Sequence, residues 1–279
     1  MAGLCGLFML TVAIRQYGPT VHPDEFGFLT NGQALIGHDE AAIPTGSFYP
    51  AGYGIVTGLG ALLSGSISGA YRFALLTNVL LAVATAWYAG RLAQRGFGAS
   101  RHMALLISAL VFVVPGTIVS AMFSWAETAS RLAFLVFVGF VMRAAQARTR
   151  ALVLGLGLFT GLMPALHGRF ILLLPIVCLL FAWWWRRKEI TFVTATSAVV
   201  LTAVAYFSTY LLNRFVKTAV YTTSGTFGES WCVARFAANN GGPELVSDCE
   251  FMRTHRYRNL FHCVSRGWQW WKKNTGVRC

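Results

Sequence analysis

Long apolar stretches recur along this 279-residue chain, each bounded by short basic punctuation, and they decide which solvent it folds in. A helix needs roughly 20 residues to cross the hydrocarbon core of a bilayer. Seven stretches approach that length: 2–18, 67–89, 103–122, 128–142, 151–166, 170–185 and 191–212. With 56% hydrophobic and only 12% charged residues, the chain has too little polar material to clothe a water-soluble fold. Backbone groups in lipid have no water to bond, so the spans are predicted to be helices. No ten-residue alternation of the β-barrel kind is visible. The expected fold class is all-α: a polytopic transmembrane helix bundle of about seven spans, with short interfacial helices in an outer first loop.

The basic residues predict an orientation. One set of connections holds Arg91, Arg95, Arg101, Arg143, Arg148, Arg150, Arg186, Arg187 and Lys188, nine in all, whereas the opposite set holds only Arg169. Cytoplasmic connections carry the excess of Lys and Arg, which puts the amino terminus inside and the first loop and carboxyl-terminal tail outside a multi-pass cell-membrane protein. The net charge of +13 then reflects inner helix ends facing an anionic leaflet of membrane lipids. No DNA- or RNA-binding motif accompanies it. The first segment lacks the basic start and small-x-small cleavage site of a signal peptide and reads as an uncleaved helix.

Three regions differ in composition. Residues 19–66 form a polar loop containing Gly and Pro, which re-enters the membrane surface. Residues 67–212 are spans joined by tight turns, so 1–212 reads as one transmembrane module. Residues 213–279 are an outer polar tail holding ten of the 23 basic residues and four of the six cysteines. That tail has no sustained periodicity and no metal-finger cysteine spacing. It reads first as a truncated or frame-shifted end beginning after Gly225, with a folded accessory domain as the alternative. Within the spans, the pairs Gly54/Gly58 and Gly157/Gly161 predict close helix packing. The apolar run 54–63, entered through Tyr49-Pro50-Ala51-Gly52-Tyr53, is too short to cross and is predicted to be a half-buried interfacial helix.

Acidic residues are concentrated. Within the first 180 positions they are Asp24, Glu25, Asp39 and Glu40 in the first loop, and Glu127. Val21-His22-Pro23-Asp24-Glu25-Phe26 lies just beyond the first span, which holds its carboxylates near the membrane plane. A carboxylate there can take a proton from a hydroxyl nucleophile. Adjacent residues point in different directions, so Asp24 and Glu25 are not expected to share one role.

The order of these features resembles the GT-C superfamily of polytopic glycosyltransferases, which use polyprenyl-phosphate sugars. The resemblance rests on an outer loop opening with Asp24-Glu25, the Tyr-Pro-x-Gly-Tyr re-entry at 49–53, and Ala70-Tyr71-Arg72-Phe73 followed by Asn78. Val114-Pro115-Gly116, Ser124-Trp125-Ala126-Glu127 and a Gly-rich span ending near Arg169 extend it over about residues 1–215. It implies a catalytic carboxylate at Asp24, with Glu25 beside it. The implied partners are a polyprenyl-phosphate-linked sugar donor and a glycan, lipid or protein acceptor. Members of the family differ in their need for a divalent metal. His22, His38, Asp39 and Glu40 could supply ligands, but their spacing matches no defined site.

An inverting displacement at the anomeric carbon needs a base for the acceptor hydroxyl and positive charge for the departing phosphate. Arg169 is the outer-face cation suited to phosphate, since a guanidinium matches its oxygens and stays charged. A snorkelling helix-end arginine is the plainer reading of the same residue. Arg72, Tyr49, Tyr53 and Glu127 complete the candidate substrate-binding set. Arg72 and Arg131 are intramembrane charges near outer helix ends. Glu127 stands four residues before Arg131, a spacing that predicts a helix ion pair. His167 reads as a helix-end residue. Rival functional readings are a transporter, which would place polar residues or broken helices at mid-membrane, and a non-catalytic assembly subunit.

Overall fold

The computed structural model describes residues 2–16, 23–37 and 49–222, which are helices with short connections and contain no strand. Ten α-helices follow one another: α1 (Ala2–Arg15), α2 (Pro23–Leu35), α3 (Gly54–Ser64), α4 (Ile67–Phe97), α5 (Arg101–Val113), α6 (Pro115–Ala121), α7 (Glu127–Ala147), α8 (Arg150–Leu162), α9 (Leu173–Arg186) and α10 (Phe192–Thr222). Single-turn 3-10 segments lie at Ala51–Tyr53 and Met163–Ala165, and a longer one at Gly168–Leu172. The tail beyond Thr222 and the loop carrying His38, Asp39 and Glu40 lie outside the described residues, as does His22.

Local chemistry sets the boundaries. The Ser66 hydroxyl accepts from the Gly69 amide at 3.0 Å to open α4, and α4 stops at Gly98, whose φ of 68° is left-handed. Thr149 caps α8 in the same manner, its hydroxyl accepting from the Leu152 amide. Pro115 has no amide hydrogen and pushes Val114 out of the helical region, so α5 and α6 meet at a 55° bend.

Among the described residues four helical segments are long and apolar enough to cross a membrane, or five if the bent α5/α6 pair counts as one span. They are Ser68–Phe97, Glu127–Ala147, Gly168–Arg186 and Phe192–Val216. The two remaining expected spans emerge as shorter apolar helices, Leu4–Arg15 and Arg150–Ala165. The second keeps its expected extent, and Pro164 turns its last three residues from α-helix into a 3-10 turn. The 49–63 segment is likewise a short apolar helix, Ala51–Ser64.

Large apolar side chains are exposed along the helices, and the interior holds polar side chains among the apolar ones. Leu80 and Leu179 are each 70% exposed, whereas Asn78 and Thr160 are fully buried. Buried hydroxyls return to carbonyls one turn back, Thr85 to Leu81 at 2.6 Å and Thr160 to Leu156 at 2.7 Å. This distribution suits a lipid solvent. One apolar cluster joins α1, α4, α5 and α6 around Tyr71 and Leu75, and a second joins α7 to α10 around Phe181 and Trp184. The paired glycines pack closely, as their spacing predicts. A Cβ on Gly161 would fall 2.4 Å from the Thr202 carbonyl of α10, and one on Gly58 would fall 3.0 Å from the Gly32 carbonyl of α2.

Candidate functional site

A cavity of about 450 Å³ is lined among others by Phe28, Tyr49, Pro50, Glu127, Pro164, His167 and Asn213. Each wall is placed by identifiable bonds. The Asn31 amide donates to the Tyr49 carbonyl at 2.8 Å, and the Ala51 amide donates to Asn213 Oδ1 of α10 at 2.8 Å. These two contacts hold the Tyr49-Pro50 entry between α2 and α10. Gly27 provides the room for Tyr49: a Cβ there would stand 2.0 Å from the tyrosine ring. The Phe28 ring then meets Tyr49 at 5.3 Å and Tyr53 at 5.4 Å between centroids, forming an aromatic wall.

Tyr53 is fully buried beneath that wall and does not line the cavity. Burial pushes its phenol well above the ordinary tyrosine range, a hydrogen bond from Asn78 acts the other way, and the nearby carboxylates of Glu25 and Glu127 add to the rise. The hydroxyl therefore stays protonated, and it donates to the Ala74 carbonyl at 3.4 Å.

The turn that leads into Glu127 is fixed from below. The Asn78 amide donates to the Phe123 carbonyl at 2.7 Å and the Trp125 carbonyl at 3.3 Å, while the Trp125 indole donates to Ser120. Glu127 opens α7 and lines the cavity half-buried. Its expected partner is elsewhere: Arg131 donates to the Gly116 carbonyl at 2.6 Å, so the predicted ion pair within α7 is replaced by a bond to α6. The Gly116 carbonyl also accepts from the Ser120 hydroxyl at 2.7 Å, whereas the Val111 carbonyl, four residues before the amide that Pro115 lacks, accepts from the Thr117 hydroxyl at 2.8 Å.

Glu25 is fully buried, and its Oε1 accepts from the Tyr71 hydroxyl at 2.7 Å and from the Ser124 amide at 2.9 Å. It ties α2 to α4 and to the turn before α7, and does not line the cavity. Asp24 enters as a backbone position in the first turn of α2, four residues before Phe28. Its side chain lies outside the described residues.

Arg169 is exposed beside the cavity, its Nη2 2.8 Å from Nε2 of His167, and the intervening Gly168 also lines the space. Arg72 belongs to another corner. Its Nε donates to the Gln16 carbonyl at 3.4 Å where α1 ends, and it is not part of the cavity wall. Among the described residues no group of three or more His, Cys, Asp and Glu is placed to hold a metal ion.

Of the sequence-predicted set, the structure thus gathers Tyr49 and Glu127 at one cavity with Arg169 beside it, and sets Tyr53, Glu25 and Arg72 behind or away from it. Asn31, Pro164, His167 and Asn213 are additions. His167 was legible only as a helix-end residue. Asn31 and Asn213 carried a signal in being carboxamides inside or next to apolar helices, where an unbonded amide is costly. No family model matches the chain, and no curated protein matches it.

Proposed function

We propose that this chain is a membrane glycosyltransferase that moves a sugar from a polyprenyl-phosphate donor to an acceptor on the outer face of the cell membrane. The observation that supports it most is the gathering of Tyr49, Glu127 and His167 around one cavity beside Arg169, on a wall that α2 supplies one turn after Asp24. In this reading α1 and α8 also cross, making seven spans with the bent pair. Every wall of the cavity then belongs to the outer ends of helices, opposite the nine basic residues.

The acceptor hydroxyl oxygen forms a bond to the anomeric carbon while the bond from that carbon to the donor phosphate oxygen breaks. The hydroxyl proton passes to the Asp24 carboxylate, and the bonding pair leaves with the polyprenyl phosphate, inverting the anomeric configuration. Arg169 presents its guanidinium to the departing phosphate. Glu127 accepts from sugar hydroxyls, and the rings of Tyr49 and Phe28 give the sugar an apolar face. Glu25 is a positioning residue that acts through the packing of α2. A divalent metal would draw on His22, Asp39 and Glu40, and no step here depends on one.

The test is a transfer assay on the full chain in vesicles containing a radiolabelled polyprenyl-phosphate sugar. Wild type is expected to move label to an acceptor, and Asp24→Asn to lose transfer while remaining inserted by protease protection. Equal activity in the Asp24 variant removes the base assignment. Absence of transfer by wild type from every polyprenyl-phosphate hexose and pentose tried removes the enzyme reading and leaves the transporter or assembly subunit.

A further inference from the structure

A second cavity, of about 480 Å³, lies at the other ends of the same helices, where α7 passes into α8 and α9 into α10. Arg148, Arg150, Lys188 and Glu189 line it, three cations against one carboxylate. One cation is already engaged. Arg148 donates from Nε at 2.8 Å and from Nη2 at 2.7 Å to the same oxygen of Glu189, and its guanidinium lies 4.6 Å from the ring centre of the buried Trp184. It forms a fixed wall that joins the end of α7 to the turn after α9. Arg150 and Lys188 are exposed at the same cavity, with the Thr191 and Thr194 hydroxyls beside them.

The backbone marks the same place. Among the described residues two non-glycine positions adopt left-handed backbone, Arg148 at φ 50° and Lys188 at φ 60°, and both line this cavity. Elsewhere the described chain meets that conformation with glycine, at Gly37, Gly65 and Gly98. A side chain is disfavoured in this region, and glycine is the usual residue where a helix ends in it. Two successive connections therefore accept backbone strain and in return place a cationic side chain at one cavity, a pattern associated with functional sites.

The rim identifies the ligand's surroundings. Trp185 and Phe192 both line the cavity, are 43% and 60% exposed, and pack against each other at 5.3 Å. Aromatic rings at the end of membrane helices sit at headgroup depth, with acyl chains on one side and phosphate on the other. We infer that the Arg148–Lys188 cavity binds the phosphate headgroup of one anionic phospholipid. Arg150 and Lys188 supply charge-assisted donors, and Trp185 with Phe192 flank the glycerol and upper acyl chain. This goes beyond the diffuse attraction of basic residues for an anionic leaflet, because it predicts a stoichiometric lipid at one place. It does not depend on the reaction at the other cavity.

Native mass spectrometry of the full chain, released from micelles holding equal phosphatidylglycerol and phosphatidylcholine, tests it. Wild type is expected to retain one phosphatidylglycerol in preference to phosphatidylcholine. Arg150→Gln and Lys188→Gly should each lower that retention about fivefold, the share of one basic residue near an anionic surface. Lys188→Gly gives the backbone the residue it favours, so its melting temperature should stay at or above that of wild type while the lipid is lost. Arg91→Gln removes a basic residue that stacks on Trp87 outside this cavity, and should change nothing. Retention unchanged in both cavity variants, or lowered as much by Arg91→Gln, overturns the site. Inorganic phosphate displacing the lipid at equal concentration would show a free-phosphate site instead and overturns the lipid assignment.

Discussion

The Tyr71 hydroxyl donates to Glu25 at 2.7 Å, joining α2 to α4 at a point with no access to solvent. The same Glu25 oxygen also receives the Ser124 amide. Glu25→Ala would leave both donors buried without that acceptor, which costs about 1–3 kcal/mol for each group. Glu25→Gln keeps an acceptor oxygen and should cost less. Thermal unfolding of the detergent-solubilised protein, followed by tryptophan fluorescence, should rank wild type above the glutamine variant and that above the alanine variant. Equal melting of the alanine variant and wild type would show that the bond contributes nothing.

Catalysis should separate the two neighbouring carboxylates. Removing a general base lowers turnover about 10²–10⁴-fold. Asp24→Asn is expected to lose that much in kcat without a change in melting temperature, whereas Glu25→Gln lowers both together. Parallel kcat and melting measurements decide it. A Glu25 variant that melts as wild type yet has no turnover would transfer the base role to Glu25.

Arg169 should act through binding of the phosphate-bearing donor. Arg169→Ala is expected to raise the donor KM about tenfold, with Arg169→Lys recovering only part of it, because a point charge lacks the paired donors of a guanidinium. Titration of a non-transferable polyprenyl phosphate onto each variant gives the affinity directly. Equal affinity for all three proteins would leave Arg169 as a residue anchored at the membrane surface.

Helix approach can be tested without any substrate. At Gly161 a Cβ would lie 2.4 Å from the Thr202 carbonyl and 2.6 Å from the Ala205 methyl, so Gly161→Val must push α8 from α10. Overpacking of this kind costs about 1–3 kcal/mol. Gly168→Ala, where nothing lies within 4 Å, should be close to neutral. The difference between the two in melting temperature reports the α8–α10 contact, and no difference would deny its closeness.

Orientation is open to chemical labelling. A cysteine introduced at position 39 should react with an impermeant reagent applied to intact cells, and one at position 95 only after permeabilisation. The reverse pattern would invert the map and move the Tyr49–Glu127 cavity to the inner face.

The helices were largely readable because apolar runs between basic residues mark them, but α4 continues past the expected end at 89 to its left-handed stop at Gly98, and the run 103–122 bends at Pro115. That Glu25 would be buried was not readable, because its partners Tyr71 and Ser124 lie 46 and 99 residues away. Arg131 misled for a related reason. Its spacing from Glu127 is local, but the Gly116 carbonyl it binds belongs to another helix. The extent of the run 151–166 was readable, whereas the change to a 3-10 turn at Pro164 was not.

The bond from the Ala51 amide to Asn213 spans 162 residues and has a consequence for biogenesis. The wall it closes joins an early segment of the chain to the last described helix, and such distant pairs form late because the intervening chain must first be laid down. Among the described residues that line the same cavity, Asn213 is the last that translation delivers. A nascent protein halted at residue 200 would already have threaded its earlier helices into the bilayer, yet its upper cleft would stand open along one side. Completion of the cleft is thus timed by the ribosome, and a ligand fitted to all of its walls meets them only once synthesis has passed α10.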